Sequence, residues 1–560
     1  MAQTGTSFET HEVINQPPAF ENVNLFETDA ALKDAVQREG GEAALSGLST
    51  FGARIGAADV IDLGRQANTY LPVLKSFDRF GHRTDQIEFH PSYHALMALS
   101  VEQGIQGSPW EHLVSGEVPA PGQNVHRLAG LYMMVQVEAG HMCPITMTNA
   151  SVPALQFQPG LASEWVPRIV SRAYDPSFRP ASEKSGVTIG MGMTEKQGGT
   201  DVRANMTSAE PVDGGGPGGE YVITGHKWFF SAPMCDAFLV LAQAPNGLSC
   251  FLLPRFLPDG TVNAIRIQRL KEKVGNKSNA SSEVEFQQAH GWLIGEEGRG
   301  VRNIIEMATY TRVDCAVSSS GLMRQGLAQA IHHCSHRRVF QKHLIDQPLM
   351  QNVLADLALE VEGATALSFR VARAFDQADA SATEAAYRRI MNPVAKYWAC
   401  KRAPGFTYEA MECLGGNGYV EEGIAGRLYR EAPVNAIWEG SGNVMCLDVL
   451  RALGRDPDGL EAVLGGFETV RGRHAAFDAA LDRLKDGFAD IGTLEMRARQ
   501  VVEDMAKLGA AAVLLDGAPT EIAESYCRTR LGGEGAALYG GLPADLPMKA
   551  ILERAAPHAV

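Results

Sequence analysis

The residue best suited to chemistry is Glu439, which stands in the segment AIWEGSGN (436–443) between an apolar pair and a flexible Gly-Ser-Gly. A frame of Ile437 and Trp438 would desolvate the carboxylate and raise its pKa, which suits a general base that removes a carbon-bound proton near neutral pH. A glutamate in a loop is more often a solvated surface residue, so this segment alone leaves both interpretations open.

Two glycine-rich segments also depart from ordinary packing patterns. MTEKQGGTD (193–201) places hydroxyl side chains around a double glycine after a β-like run, and such a loop offers backbone N–H groups to an anion or a planar heterocycle. CLGGNGY (413–419) lies between helical stretches, where missing side chains let the backbone approach a neighbour. A polar β-turn and a helix C-cap are the respective alternatives.

Several common fingerprints are missing from the sequence. We find no GxGxxG that opens a βαβ unit, and no GxxxxGK[ST], GxSxG or HExxH, which argues against nicotinamide dinucleotide, nucleoside triphosphate, serine hydrolase and zinc protease chemistry. His90 and His94 are four residues apart and could share a helix face, but two histidines without a third ligand usually make core or interface hydrogen bonds. The sequence therefore predicts no metal site.

Length, charge and cysteine usage narrow the class of protein. A chain of 560 residues exceeds one ordinary core, and its 50 Lys and Arg against 65 Asp and Glu give a net charge of −15, which disfavours nucleic acid and anionic membranes. The nine cysteines are scattered without a CxxC pair, and the N-terminus lacks a basic and apolar leader. These features predict a cytoplasmic protein that does not span a membrane.

The periodicity of apolar residues changes twice along the chain and predicts an α+β protein. Apolar residues recur at helical spacing before the sheet-like region and again after it, whereas the region between consists of short β-like runs. Pro245-Asn246-Gly247 predicts a tight hairpin, and DGGGPGG (213–219) predicts a flexible connection between strands. The predicted units are an N-terminal helical domain (1–186), a central antiparallel β-sheet or barrel (187–295), a helical bundle with the Glu439 loop (296–452) and a helical extension (453–560).

Five segments in this order resemble one family, the acyl-CoA dehydrogenases, over about residues 25 to 452. MTEKQGGTD is similar to the family's TEPxxGSD flavin loop, GHKWFFS (225–231) to its GxKxWIT strand, and RRVFQKHL (337–344) to its RxxFGxxI helix. CLGGNGY is similar to its GGxG turn, and IWEG to its catalytic-Glu loop. HEVINQPP (11–18) and the C-terminal extension further resemble the AidB branch, which is associated with the adaptive response to DNA alkylation.

The resemblance implies FAD as cofactor, in a homotetramer built as a dimer of dimers. The residues that it places around the flavin of the same subunit are Met193, Thr194, Gly199, Thr200, Phe229, Ser231, Ser441 and Asn443. Those that it assigns to the cofactor of a neighbouring subunit are Arg337, Phe340, Gly415 and Gly416. Cofactor binding and assembly are thereby coupled.

The family's chemistry makes Glu439 the base that removes the proton α to a thioester carbonyl while the β-hydride passes to flavin. On the substrate side the resemblance implies Arg312, Trp438 and Gly440, and the large indole favours a short or branched acyl-CoA. An electron-transferring flavoprotein or O2 would accept the electrons. Ala308 and Thr309 replace the aromatic residue and the Asp that usually precede the substrate-side Arg, which puts the grip on coenzyme A in doubt.

The same resemblance raises an alternative function, a DNA-binding or DNA-protecting flavoprotein with weak or vestigial dehydrogenase activity. The extension from Arg451 to Val560 carries 13 Lys and Arg against 17 Asp and Glu, a net charge of −4, so its charge gives no independent support for double-stranded DNA. Clustering on one face could still build a basic patch. The arginines available for it are Arg451, Arg471, Arg473, Arg497, Arg499, Arg528 and Arg530.

Overall fold

The computed structural model describes residues 10–557 and begins with a helical unit. Helices α6 and α7 are buried almost throughout and form its centre. The elements of this unit are α1 (Ala30–Arg38), α2 (Leu45–Ile55), α3 (Ala58–Thr69), β1 (Val73–Phe77), β2 (Arg83–Glu88), α4 (Pro91–Glu102), α5 (His112–Ser115), α6 (Gln123–Val137), α7 (Met142–Leu155) and α8 (Pro159–Ile169).

The antiparallel pair of β1 and β2 interrupts this helical unit and was not predicted. Its side chains alternate between exposed and half-buried positions instead of following a helical stripe. Arg83 fastens the hairpin to the central sheet by donating to the carbonyl oxygen of Ile267 at 2.7 Å. The N-terminal domain is therefore helical with one small hairpin that reaches the sheet.

The central unit is a seven-stranded sheet whose pairings close a circuit through β3, β5, β9, β7 and β6, as in a small barrel. Most pairings are antiparallel, but β3 and β4 each pair with β6 in parallel, so the sheet is mixed and not purely antiparallel. The strands are β3 (Ile189–Gly192), β4 (Ser208–Pro211), β5 (Glu220–Ser231), β6 (Ala237–Ala244), β7 (Gly247–Pro254), β8 (Ile265–Leu270) and β9 (Ser281–Ile294).

Both predicted connections in the sheet are present. Ala244 pairs with Gly247, so Pro245 and Asn246 form the two-residue turn between β6 and β7, and Gly247 carries the positive φ of +115°. The run Asp213–Gly219 joins β4 to β5 with positive φ at five of its seven residues. These backbone angles explain the glycines there, because residues with a Cβ seldom adopt them.

A bundle of long helices follows the sheet. Helices α9, α10 and α11 pack against one another, and α9 also contacts α6 and α7 of the N-terminal unit. The elements are α9 (Gly300–His336), β10 (Arg338–Val339), β11 (Lys342–His343), α10 (Pro348–Gln377), α11 (Ala382–Glu412), α12 (Ala425–Asn435) and α13 (Gly442–Arg455). The Glu439 loop connects the last two helices.

The segment RRVFQKHL is not helical, although its resemblance to the RxxFGxxI helix implied that it would be. Helix α9 ends at His336, and the following residues form the small hairpin of β10 and β11. Its turn consists of Phe340 and Gln341, with φ of +52° and +68°, values that no right-handed helix contains. Gln341, which replaces the expected glycine, thus adopts a left-handed conformation despite its Cβ.

The C-terminal extension packs on the bundle and is not a separate appendage. Helices α14 and α16 lie against α11, and α18 lies against α10 and α1. Arg554 of α18 ties these helices together through Glu362 at 2.6 Å and Asp34 at 2.7 Å. The elements are α14 (Pro457–Glu468), α15 (Ala475–Ala489), α16 (Ala498–Gly517), α17 (Thr520–Tyr526), a π-helical turn (Cys527–Leu531) and α18 (Met548–Ala555).

Within residues 10–557, no helix combines the length and the apolar character needed to cross a membrane. All nine cysteines are buried free thiols. The expectation about an N-terminal leader concerns residues that include 1–9, which lie outside the described part, and the cytoplasmic location stays a prediction.

Candidate active site

Glu439 lies in the turn between α12 and α13 and faces helix α9. The Thr311 hydroxyl donates to its Oε2 at 2.7 Å, and Glu439 makes no ion pair with any described residue. Burial raises the pKa of Glu439 above its usual range, although Thr311, Arg312 and Lys396 all act in the opposite direction. A half-buried carboxylate with a raised pKa and one hydroxyl partner is equipped to act as a general base.

The backbone around Glu439 is held by two cations that the sequence did not single out for this role. Buried Lys396 of α11 donates to the carbonyl oxygens of Trp438 at 2.9 Å and Gly440 at 2.5 Å. Arg312 of α9 donates to the carbonyl oxygen of Glu439 at 3.2 Å. Three consecutive peptide carbonyls therefore point at positive charge.

Arg312, predicted on the substrate side, is engaged within the protein. Its guanidinium pairs with Asp448 of α13 at 2.8 Å, and Asp448 also pairs with Arg389 at 2.9 Å. Burial opposes ionisation of Asp448, but the two arginines hold its pKa below the usual range. Arg312 thus links α9, the Glu439 carbonyl and α13, and a contact with substrate stays a prediction.

The indole of Trp438 has a fixed orientation. Its Nε1 donates to Asn435 Oδ1 at 3.1 Å, and the Asn435 amide donates to Ser319 Oγ at 3.2 Å. Trp438 is half-buried and packs on the core, whereas its neighbour Ile437 is 67% exposed. The position fits the predicted wall of an acyl pocket, and that role stays a prediction.

The segment 193–201 forms the loop after β3 that was predicted to approach a flavin. The hydroxyls of Thr194 and Thr200 and the N–H groups of Gly199 and Thr200 have no hydrogen-bond partner in the described part of the chain. A Cβ on Gly199 would lie 2.3 Å from the Thr194 hydroxyl oxygen, so only glycine fits there. Unpaired donors on a tight loop fit a flavin, which offers several acceptor atoms.

A buried ion pair below this loop was missed by sequence reasoning. Lys227 of β5 pairs with Glu195 at 2.8 Å, and both side chains are fully buried. Glu195 also accepts from the N–H groups of Met206 at 2.7 Å and Thr207 at 3.2 Å. Burial alone would raise the pKa of Glu195, but Lys227 and these donors hold it below its usual range. The pair joins the flavin loop to the sheet.

Two further predicted residues lie at the end of β5. Ser231 Oγ lies 3.3 Å from Ser281 Oγ. Phe229 is 49% exposed, and the Lys271 ammonium lies 4.5 Å from the centre of its ring. Met193 lies at the start of the 193–201 loop, where its carbonyl accepts from Asn205 at 3.1 Å.

The four residues predicted to reach a neighbouring subunit lie together at the surface. Arg337 donates to the carbonyl of Asn15 at 2.6 Å, and Asn417 of the glycine turn donates to the adjacent Gln16 at 3.1 Å. Phe340 is 91% exposed, and a Cβ on Gly415 or Gly416 would meet open space. The two motifs thus share one outward-facing surface, distant in sequence but joined through residues 15 and 16.

Two other predicted flavin residues differ in their environment. The hydroxyl of Ser441 has no partner among described residues and stays available, like those of Thr194 and Thr200. Asn443 instead accepts from Arg499 Nε of α16 at 2.8 Å, so its amide oxygen is already engaged with the extension. Gly440 adopts φ of +105°, and a Cβ there would lie 2.4 Å from Met445 Cε.

No group of three or more His, Cys, Asp or Glu side chains in the described part of the chain is arranged to hold a metal ion. His90 lies at the N-cap of α4, where it accepts from the N–H of Ser92 at 3.3 Å. His94 contacts the Tyr174 hydroxyl at 2.8 Å. Both rings therefore make hydrogen bonds within the fold.

Three sequence models match successive parts of the chain. The Adaptive response protein AidB N-terminal domain matches residues 15–176, the acyl-CoA dehydrogenase middle domain matches 190–289, and the acyl-CoA dehydrogenase C-terminal domain matches 298–454. AidB of Escherichia coli (strain K12) is 46% identical over 529 residues, which are 94% of this chain and 96% of that protein.

Acyl-CoA dehydrogenase family member 11 of Caenorhabditis elegans is 32% identical over 527 residues, 86% of this chain and 82% of that protein. The crystal structure of C. elegans ACDH-11 in complex with C11-CoA matches with a TM-score of 0.83 and 29% identity, over 99% of both chains. An acyl-CoA dehydrogenase from Bacillus anthracis complexed with FAD shares the fold at 16% identity, with a TM-score of 0.65 over 83% of this chain and 82% of that chain.

The catalytic loop and the unpaired donors of the flavin loop fit the chemistry of the proteins that these comparisons find, whose family depends on FAD. The chain belongs to the acyl-CoA dehydrogenase family, in its AidB branch, and is an FAD-dependent oxidoreductase.

Proposed function

We propose that the chain oxidises an acyl-CoA thioester to its α,β-unsaturated product, with Glu439 as the base that removes the α proton. The observation that carries this proposal is the environment of the carboxylate, which has a raised pKa, a single hydroxyl partner and no ion pair within the described residues. An unpaired carboxylate keeps an oxygen available for the substrate proton, whereas an ion-paired one would be a weaker base.

The residues around the site divide the remaining work. Thr194, Gly199, Thr200 and Ser441 offer the unpaired donors that would hold FAD, which when bound accepts the hydride from the substrate β-carbon. The Glu439 N–H also lacks a partner in the described chain, so it can donate to the thioester oxygen and stabilise the enolate that proton removal creates.

The substrate class rests on the worm relative, whose structure holds C11-CoA. A short or branched acyl chain follows from Trp438, whose pinned indole would limit the depth of the pocket. At the coenzyme A end, Ala308 is buried and Thr309 donates to the carbonyl of Ile305 at 2.9 Å, so neither supplies a free polar group. We therefore expect weak binding of the nucleotide end and modest activity.

The homotetramer is supported by the surface that carries Arg337, Phe340, Gly415 and Gly416. The exposed fraction of Phe340 is 91%, and that of nearby Tyr419 is 82%. Aromatic rings this exposed are typical of protein contact surfaces. A neighbouring subunit would cover them and receive the Arg337 guanidinium at its cofactor.

Duplex DNA binding finds little support in a single subunit. Five of the seven arginines considered for a basic patch pair with carboxylates, as Arg471 does with Glu468 and Asp482 and Arg528 does with Glu534 and Asp545. The other paired arginines are Arg473, Arg497 and Arg530. A DNA role would therefore need a basic surface assembled from several subunits.

Anaerobic titration of the flavin-loaded protein with acyl-CoAs from four to twelve carbons, straight and branched, tests the proposal. We expect bleaching of the flavin by at least one thioester, and the chain-length profile reports the pocket depth set by Trp438. Full retention of oxidised flavin with every thioester would contradict the dehydrogenase function and favour the DNA-associated alternative. Readmitting air, with and without an electron-transferring flavoprotein, identifies the electron acceptor.

A further inference from the structure

Lys396 contacts the backbone of the Glu439 loop but forms no hydrogen bond with the Glu439 carboxylate. Its side chain is 1% exposed, it forms no ion pair with any described residue, and its ammonium bridges the carbonyls on both sides of Glu439. Burying a lysine is costly unless its charge is satisfied. The two loop carbonyls satisfy it here, so the position of the loop and the position of the ammonium depend on each other.

Because the peptide bond is trans, the contact between Lys396 and the Trp438 carbonyl fixes the direction of the Glu439 N–H. The carbonyl of Trp438 and the N–H of Glu439 belong to the same peptide group, and in a trans peptide they point to opposite sides. Because the carbonyl oxygen is bound to Lys396, the Glu439 N–H points away from the ammonium. This N–H has no hydrogen-bond partner in the described part of the chain.

The backbone conformation of Glu439 requires such support. Its φ of +59° lies in the left-handed region, which is unfavourable for a residue with a Cβ and persists only where the surroundings enforce it. Lys396 joins the carbonyls of residues 438 and 440 across this strained position. The positive charge of the Lys396 ammonium beside the Trp438 carbonyl oxygen also polarises this peptide group and strengthens the Glu439 N–H as a donor.

We propose that Lys396 is a positioning residue that aims and polarises the Glu439 N–H as a hydrogen-bond donor to the thioester oxygen. The inference rests on the proposed function and adds the residue that prepares the donor. Lys396 touches neither substrate nor cofactor, and it acts through the Trp438–Glu439 peptide group.

The test is the binding of 3-thiaacyl-CoA, a non-reducible analogue whose bound enolate gives a long-wavelength charge-transfer absorption beside oxidised flavin. In Lys396→Met we expect normal flavin content and analogue affinity within about threefold of wild type, but loss of most of the charge-transfer band. With substrate, kcat should fall about 10- to 100-fold with little change in KM, since one donor to the developing oxyanion is misdirected.

Thr407→Val, which alters a buried hydroxyl on the same helix that bonds Ala403, is the matched control and should keep the band. Should Lys396→Met lose its flavin, Lys396→Gln decides, because it keeps N–H donors without the charge and should show a weakened band. An undiminished band in Lys396→Met, or in Lys396→Gln if that variant is needed, would overturn the positioning role. Absence of any band in the wild type would instead count against the proposed function.

Discussion

The Glu439 loop and the C-terminal extension use positive charge in opposite ways. Around the loop, Lys396 and the Nε of Arg312 bind neutral carbonyls, and the Glu439 carboxylate accepts a hydrogen bond from the Thr311 hydroxyl and forms no ion pair within residues 10–557. In the extension, Arg471 and most other arginines bind carboxylates directly. Ion pairs stabilise a fold but consume the charge, whereas carbonyl contacts hold a loop in place and leave its carboxylate reactive. This difference agrees with the proposed chemistry in the loop and with a structural role for the extension.

Breaking the junction between extension and bundle should have the largest effect on stability. Arg530 pairs with Asp356 at 2.5 Å and lies 3.5 Å from Glu360, and all three side chains are largely buried. Arg530→Met would leave two carboxylates without this cation, so we expect the free energy of unfolding in denaturant to fall by about 3 to 5 kcal/mol.

The exposed pair of Lys75 and Glu88 provides the control, since Lys75→Met should cost at most about 1 kcal/mol. Flavin bleaching per folded molecule should be unchanged in both variants. A loss of bleaching in folded Arg530→Met would show that the extension takes part in the chemistry and would remove the distinction between the two regions.

A smaller effect is expected from Thr311→Val, which removes the one hydroxyl partner of Glu439. The hydrogen bond lowers the pKa of the carboxylate, so its loss should raise that pKa further and move the acid limb of flavin reduction to higher pH. The rate should rise with pH in both proteins, because only ionised Glu439 accepts a proton. Stopped-flow reduction across pH measures this, and coincident profiles would show that Thr311 does not tune the base.

The smallest effect should come from the surface arginines. The double variant Arg471→Ala/Arg528→Ala removes two side chains whose charges are already paired, so duplex affinity should change by less than about twofold at physiological salt. Fluorescence anisotropy with a labelled duplex at two salt concentrations is the measurement. A large, salt-dependent loss of affinity would mean that these arginines contact DNA and that the extension carries function.

The sequence predicted the order of the units and Glu439 because both depend on local patterns. Helical and strand periodicity marks the units, and the Ile-Trp-Glu-Gly run marks the loop. Thr311 and Lys396 could not be identified in this way. Thr311 lies 128 residues from Glu439 in the sequence, and no motif distinguishes Lys396 from other lysines on a long helix. Their contacts exist only after helices α9, α11 and α12 have packed.

Two further differences have physical causes. A hairpin replaces the predicted helix after His336, and its turn lies at Phe340 and Gln341. Neither residue type is typical of a left-handed turn, so the sequence did not indicate it. The net charge of the extension gave no support for a basic patch, which would have required its arginines to cluster on one face. In the structure, five of the seven candidate arginines pair with carboxylates, and this pairing depends on tertiary contacts.

Anaerobic reduction of the wild type and of Glu439→Gln by the best acyl-CoA from the titration tests the central claim most directly. We expect Glu439→Gln to keep its flavin and to bind the thioester, but the thioester should reduce this flavin about 10²- to 10⁴-fold more slowly, because the amide cannot accept the α proton. Bleaching of Glu439→Gln at the wild-type rate would contradict the assignment of Glu439 as the base.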